Sequence, residues 1–287
     1  MFRVFIVIFI LFNLLHFFNK NNEGFEADQI IDPKYISKLN TKDLRARSLT
    51  GDETSINTYY HSLIRKPSKK ELELILNIFR VITTDIGDKY KSILDIPFKI
   101  YLFKKLENNF PHTHHNSILL PETFSLNYSY IVKNTLLHEK LHIIQRFKRE
   151  NFYNLYEKYW KFSYQKIQDL ERIEEYSRTN PDGLDNNWVF TNQGVKIVLM
   201  SLYDKDYKNI SHTTTYGIYL DKESKLIFPI KKKEIKDIRE FTDFFGKLNG
   251  NNYHPNELSA DMIAHMLLGK KTDSPAFNKL TQWWNKL

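Results

Sequence analysis

Two stretches of the chain carry apolar residues at helical spacing. Over 69–94, Leu72, Leu74, Ile75, Leu76, Ile78, Phe79, Ile82 and Ile86 gather on one side of a helical wheel and predict an amphipathic helix. Around 130–147, Ile131, Val132, Leu136, Leu137, Leu141, Ile143, Ile144 and Phe147 cover most of the circumference. A helix that apolar is expected to be buried. Ser125, Asn127 or Ser129 is placed to cap its start.

The remaining pattern is shorter-ranged. Residues 97–103 alternate as a strand does, 111–115 read as a loop, and 117–120 read as a short strand ended by Pro121. Residues 153–178 predict a long aromatic-rich helix, closed by the turn signal Asn180-Pro181-Asp182-Gly183. Strand-like patches follow at 195–202, 213–220 and 226–230, the last two joined by a turn at 221–224. Helices are expected near 235–248, 255–268 and 276–286. The whole predicts an α+β fold: a small sheet, a central buried helix against it, and a mostly helical C-terminal half.

The buried helix contains His138-Glu139-Lys140-Leu141-His142. Residues four apart lie one turn apart on one helix face, so His138 and His142 can aim two imidazoles at one cation. Glu139 lies about 100° round the helix, within reach of a water at that cation. Two neutral nitrogens beside a carboxylate suit zinc and metal-assisted hydrolysis, with Glu139 as the proton acceptor. The alternative is a polar face on a helix with two histidines. In a helix this apolar, those groups need partners, and a cation supplies them.

Catalytic zinc keeps three protein ligands. The third is sought in 254–265, where Glu257, Asp261 and His265 recur every fourth residue, with Pro255 suited to the first turn. Asn256-Glu257-x-x-x-Asp261, taken with His138-Glu139-x-x-His142, resembles the gluzincin clan of zinc metallopeptidases, to which thermolysin-like enzymes belong. The resemblance implies one zinc ion held by His138, His142 and Glu257, with Asp261 orienting a ligand imidazole. It also implies a zincin-like fold. Within such folds the strand just before the motif helix is the sheet edge on which a peptide lies; by analogy Ser117, Ile118, Leu119 and Leu120 would contact substrate. An oxyanion donor is expected from the second half: Tyr216, Tyr253, His254 or His265. Glu257 follows His142 by 115 positions, a wider gap than thermolysin-like enzymes have.

Composition adds limits. A 41% hydrophobic, 15% aromatic chain of 287 residues builds a substantial core. With no cysteine, disulfides, thiolate ligands and cysteine nucleophiles are excluded. The net charge of +8 is spread along the chain apart from Lys231-Lys232-Lys233, which speaks for solubility more than for a nucleic-acid partner. Residues 1–18 are dominated by an apolar run and read as a signal peptide or membrane anchor. That places the chain at a membrane or in the secretory pathway. Residues 19–66 read as a linker with irregular or short helical structure, and 67–287 as the metallopeptidase-like domain. The expected partner is a peptide or protein substrate.

Other histidines compete for attention. His112, His114 and His115 form a polar loop cluster, and His114 is a candidate for the cleft rim. Two rival readings keep the motif but change its use. In one, His254 or His265 is the third ligand of a protease acting near nucleic acid. In the other, the metal only stabilises a non-catalytic, membrane-anchored binding domain.

Overall fold

The computed structural model describes residues 30–86, 95–247 and 253–287 of the chain. Two small sheets and a set of helices surround one large core. The architecture is mixed, as expected from the pattern.

The first sheet has the order β1-β2-β4-β3, with β1 at Ile64–Arg65, β2 at Lys99–Phe103, β3 at His112–His114 and β4 at Ser117–Pro121. β2 and β4 run parallel; β1 and β3 flank them antiparallel. Three short helices precede it: α1 (Pro33–Ser37), α2 (Thr41–Ala46) and α3 (Glu53–Ser62). Asp32, Asn40 and Asp52 cap them through their side chains. Their Tyr35, Ile36, Ile56 and Tyr60 pack with Phe103 and Leu119 of the sheet. Residues from 30 onward therefore pack onto the sheet as short helices, in the segment expected to be a linker with irregular or short helical structure.

Helix α4 (Lys69–Ile86) buries Ile75, Ile78 and Ile82, a stripe at helical spacing, against α5 (Tyr130–Phe147). The expected continuation over 87–94 lies outside the described residues. Ser129 caps α5, its hydroxyl accepting from Val132 N at 3.4 Å. α5 is buried on nearly all sides from Leu136 to Gln145 and packs on α9 (Pro255–Leu267). Ala260 and Ala264 are fully buried in α9, and their small side chains let neighbouring elements approach closely.

The expected helix over 153–178 does not form. Helix α6 (Arg149–Asn154) passes into one wide turn at Leu155–Tyr159, and the chain then reverses at Lys161, whose φ is 61°. β5 (Phe162–Tyr164) follows, and α7 (Glu171–Glu174) is a single turn. The aromatic residues that suggested a helix serve other purposes. Tyr156 and Trp160 are core, and Phe162 lies in a strand.

The C-terminal half is also less helical than expected. β5, β6 (Trp188–Asn192), β7 (Val195–Tyr203), β8 (Thr213–Tyr219) and β9 (Lys232–Glu234) form a five-stranded antiparallel meander in sequence order. The last strand sits at 232–234 instead of 226–230. Both faces of this sheet are covered: Phe190, Ile197 and Leu199 join the main core, while Val189, Val198, Met200 and Ile218 face Ile167, Leu170 and Ile173. This is the period-two alternation of a strand read on two buried faces. Helices α8 (Arg239–Phe245) and α10 (Pro275–Trp284) close the main core.

The expected membrane association is corrected here. Among the described residues no helix is long and apolar enough to cross a membrane. A span needs about 20 consecutive apolar residues. The two longest helices, α4 and α5, have 18 residues and are interrupted by charged or polar side chains. The N-terminal apolar run on which that expectation rested lies outside the described residues.

Candidate metal centre

α5 and α9 meet so that three side chains converge. His138 and His142 face each other, with their Nε2 atoms 3.0 Å apart. Glu257 from α9 lies across from both, its Oε2 3.3 Å from His138 Nε2 and its Oε1 3.5 Å from His142 Nε2. All three side chains are buried, and their ligand atoms lie within 4.8 Å of one another. Such a set, two imidazole nitrogens and a carboxylate oxygen, is a familiar zinc environment.

The electrostatics favour a positive species at this point. Burial alone would lower the pKa of His142, but the carboxylates of Asp182 and Glu257 raise it to about 10. Burial would raise Glu257, yet the two imidazoles hold it well below the usual carboxylate range. A divalent cation would take the place of those protons and satisfy all three groups together. The residues present therefore fit a metal ion.

Neighbouring side chains fix the ligands. His142 Nδ1 donates to Gln145 Oε1 at 2.9 Å, so Nε2, aimed inward, is the nitrogen that would give up its proton to a cation. Asn180 Nδ2 donates to Glu257 Oε1 at 2.8 Å and also bonds the Tyr253 hydroxyl. Asp261, expected to orient an imidazole, makes no hydrogen bond to either histidine among the described residues; it is partly exposed and lines the same cavity.

Glu139 is buried beside the pair, and its Oε2 has no hydrogen-bond partner among the described residues. Burial raises its pKa to about 7; His138 and His142 oppose that rise, while Asp182 adds to it. A buried, unpartnered carboxylate oxygen is costly unless something else binds there.

A cavity of about 290 Å³ opens over the three convergent residues. His138, Glu139, His142 and Glu257 line it, together with Asn134, His112, Arg178, Asn180, Asp182 and Tyr253. Asn134 Oδ1 and His112 Nε2 join Glu139 Oε2 as buried polar atoms with no partner. The wall is thus polar and unsatisfied, as a site for a polar ligand is.

The other expected residues separate clearly. Tyr253 is buried on the cavity wall. His254 is turned away: its Nδ1 accepts from Asn256 N at 3.0 Å, capping α9, and its Nε2 bonds Asp185 O at 2.9 Å. His265 packs near the Tyr130 ring at 6.2 Å, and neither histidine joins the convergent set. Tyr216 lies on β8 in the second sheet. His114 is buried against Tyr35 rather than at a cleft rim.

The edge-strand expectation needs correction. Ser117, Ile118, Leu119 and Leu120 lie in β4, which is paired on both sides, so its main-chain groups are already committed. The edge next to β4 is β3, the segment read as a histidine loop. Its His112 lines the cavity, and Thr113 N donates to Asp182 Oδ2 at 3.3 Å.

Sequence reading missed the segment from Arg178 to Asp182. Arg178 N donates to Ser201 O at 2.8 Å, and Thr179 O accepts from Arg47 Nη2 at 2.8 Å. Asn180 holds Glu257, and Asp182 binds Arg146 Nη2 at 2.6 Å. The turn signal marked this place without revealing what the turn holds. Gln145 was also missed; its position three residues after His142 puts it on the same helix face.

No family model matches the chain, and neither a curated protein nor a solved structure matches it.

Proposed function

We propose that this chain is a zinc-dependent metallopeptidase, with His138, His142 and Glu257 as ligands and Glu139 as general base. The observation that carries this reading is the convergence of the three buried ligand atoms beside a buried carboxylate oxygen that has no partner. When bound, zinc supplies Lewis acidity, lowering the pKa of a water and polarising a carbonyl. Glu139 accepts the proton of the attacking water at Oε2 and returns it to the leaving amine nitrogen.

Tyr253 suits the oxyanion that forms on the attacked carbonyl. Its hydroxyl oxygen accepts from Asn180 Nδ2, so its own hydrogen is left to donate. Burial, with Glu257 nearby, keeps that hydroxyl protonated by raising its pKa well above the ordinary tyrosine value. Asn180 positions both Glu257 and Tyr253.

The test combines metal analysis with peptide cleavage. Purified protein should bind one equivalent of zinc and cleave a mixed peptide library. Glu139→Gln should retain the metal and lose about 10²- to 10⁴-fold in rate. Glu257→Ala should lose most of the metal. Full cleavage by Glu139→Gln, or unchanged zinc content in Glu257→Ala, sinks the assignment.

A further inference from the structure

Every other arginine around the cavity is neutralised. Arg47 binds Asp43 at 2.6 Å and Glu107 at 2.9 Å. Arg146, just behind Thr113, binds Asp182 at 2.6 Å. Arg178 differs: among the described residues no carboxylate lies within ion-pair distance of it, its side chain hydrogen-bonds Tyr253, and Glu257 attracts it only from farther off. Its guanidinium lies over the Tyr253 ring, 4.8 Å from the centroid, and lines the cavity with the three convergent residues. Its main chain is pinned to β7 by the bond from Arg178 N to Ser201 O, so the side chain is presented from a fixed base.

Glu257, the carboxylate that acts on Arg178 through space, is one of the three convergent residues, and once it is committed to a cation the guanidinium is an expensive feature unless a ligand supplies a counter-charge. Stacking on Tyr253 and a hydrogen bond to it fix the guanidinium while leaving further N–H groups to bind a carboxylate, which that fork matches in a bidentate manner. Cavity size narrows the choice. At about 290 Å³ it lies at the small end for ligand sites, fitting a short fragment better than a long extended chain.

We propose that Arg178 is a specificity residue that binds a substrate carboxylate close to the scissile bond, so that the preferred substrates are short or terminal peptide segments carrying a free carboxylate. This rests on the peptidase reading for its biological meaning, but the binding itself does not. The carboxylate comes either from the peptide C-terminus or from an Asp or Glu side chain, and the chemistry at Arg178 is the same.

The experiment is calorimetric binding of three probes: N-acetyl-Phe-Ala with a free carboxyl terminus, the same peptide amidated, and N-acetyl-Phe-Glu-amide. Each is titrated into the metal-free wild-type chain and into zinc-loaded Glu139→Gln protein, which does not consume the probe. The free acid is expected to bind about 10- to 100-fold more tightly than the neutral amide. Arg178→Gln should abolish that preference with zinc content and circular dichroism unchanged, and Arg178→Lys should restore part of it. Tight binding of the free acid alone assigns the carboxylate to the terminus; equally tight binding of the glutamyl amide shows that a side-chain carboxylate serves at Arg178 as well. Equal affinity for all three probes, no binding of any, or a preference that survives in Arg178→Gln overturns the proposal. Absence of zinc binding, with the acid preference intact, overturns the peptidase reading and leaves this one standing.

Discussion

His142 Nδ1 donates to Gln145 Oε1 at 2.9 Å, and the amide nitrogen of the same Gln145 reaches across to α9, bonding Asn256 O at 2.8 Å and Ser259 Oγ at 2.9 Å. One side chain therefore sets the tautomer of a ligand imidazole and ties together the two helices that carry the ligands. Partners of this type typically change metal affinity by 10- to 100-fold when removed. Gln145→Leu is expected to weaken zinc binding by about that factor while the helical circular dichroism persists. Competition against a chromophoric chelator measures it. Unchanged affinity would mean that α5 and α9 hold the imidazole without help.

Gly183 approaches His254 closely. A Cβ at Gly183 would sit 2.9 Å from His254 Cγ, nearer than two carbon atoms tolerate. His254 cannot turn aside freely, because both of its nitrogens are engaged. Gly183→Ala is therefore expected to cost about 1–3 kcal/mol, as overpacking does. His254→Asn removes the ring but keeps a good N-cap for α9. The double variant should recover part of the loss, with a coupling of about 0.5–3 kcal/mol in a denaturant double-mutant cycle. Strict additivity would show that the clash is relieved elsewhere.

Lys140, between the two histidines, is buried with its ammonium bonded to Ile96 O and placed 4.0 Å from the centre of the Phe98 ring. Burial lowers its pKa to about 7, with Asp95 opposing the shift. The unfolded chain therefore binds the proton more readily between about pH 7 and about pH 10.4, and stability should rise with pH across that window. Lys140→Met removes this group and should flatten the rise, by up to about 1.4 kcal/mol per pH unit. Parallel urea curves for the two proteins over that range would refute the shift.

The two ligand-bearing helices were legible because their signals are local. Histidines four apart and apolar residues at helical spacing lie within one element, as do Pro255 at the first turn and Glu257 two residues on. What holds the ligands was not legible. Asn180 meets Glu257 across 77 positions, and Gln145 meets Ser259 across 114. Such pairings depend on how elements dock, which periodicity does not encode. The same limit explains the 153–178 segment. Its aromatic residues fit a helical pattern, but tertiary packing sends Trp160 and Phe162 into the core from a turn and a strand. Helices α1–α3 read only as irregular or short helical structure within a linker because they are short and rich in polar residues. They are held by Tyr35 and Tyr60, which bury large rings and satisfy their hydroxyls on one carboxylate.

That carboxylate, Glu107, gives the fold an acid-sensitive joint. It accepts from the hydroxyls of Tyr35 and Tyr60, the latter at 2.7 Å, and from Arg47 Nε at 2.9 Å. Arg47 continues to Asp43 and to Thr179 O, so the network links α1–α3 to the segment that carries Arg178 and Asn180. Burial alone would raise the pKa of Glu107; Arg47, with His112 and the Tyr35 hydroxyl, outweighs it and holds the group near about 2 against an ordinary 4.5. The folded pKa is depressed, so the stabilisation is present above the unfolded value and is lost as pH falls through the folded one. Glu107→Gln is expected to cost about 3–5 kcal/mol at neutral pH, because it removes the charge-assisted hydrogen bonds that Arg47, Tyr35 and Tyr60 make to the carboxylate, while Arg47 keeps its pair with Asp43. The stability difference between wild type and variant should then shrink by roughly 3 kcal/mol as pH falls from about 4.5 to about 2. Urea midpoints of both proteins along an acid series measure that difference, and the other carboxylates cancel between them. A difference that stays constant through the series would show that Glu107 holds its proton in the folded chain, with the tyrosines and Arg47 arranged around a neutral acid.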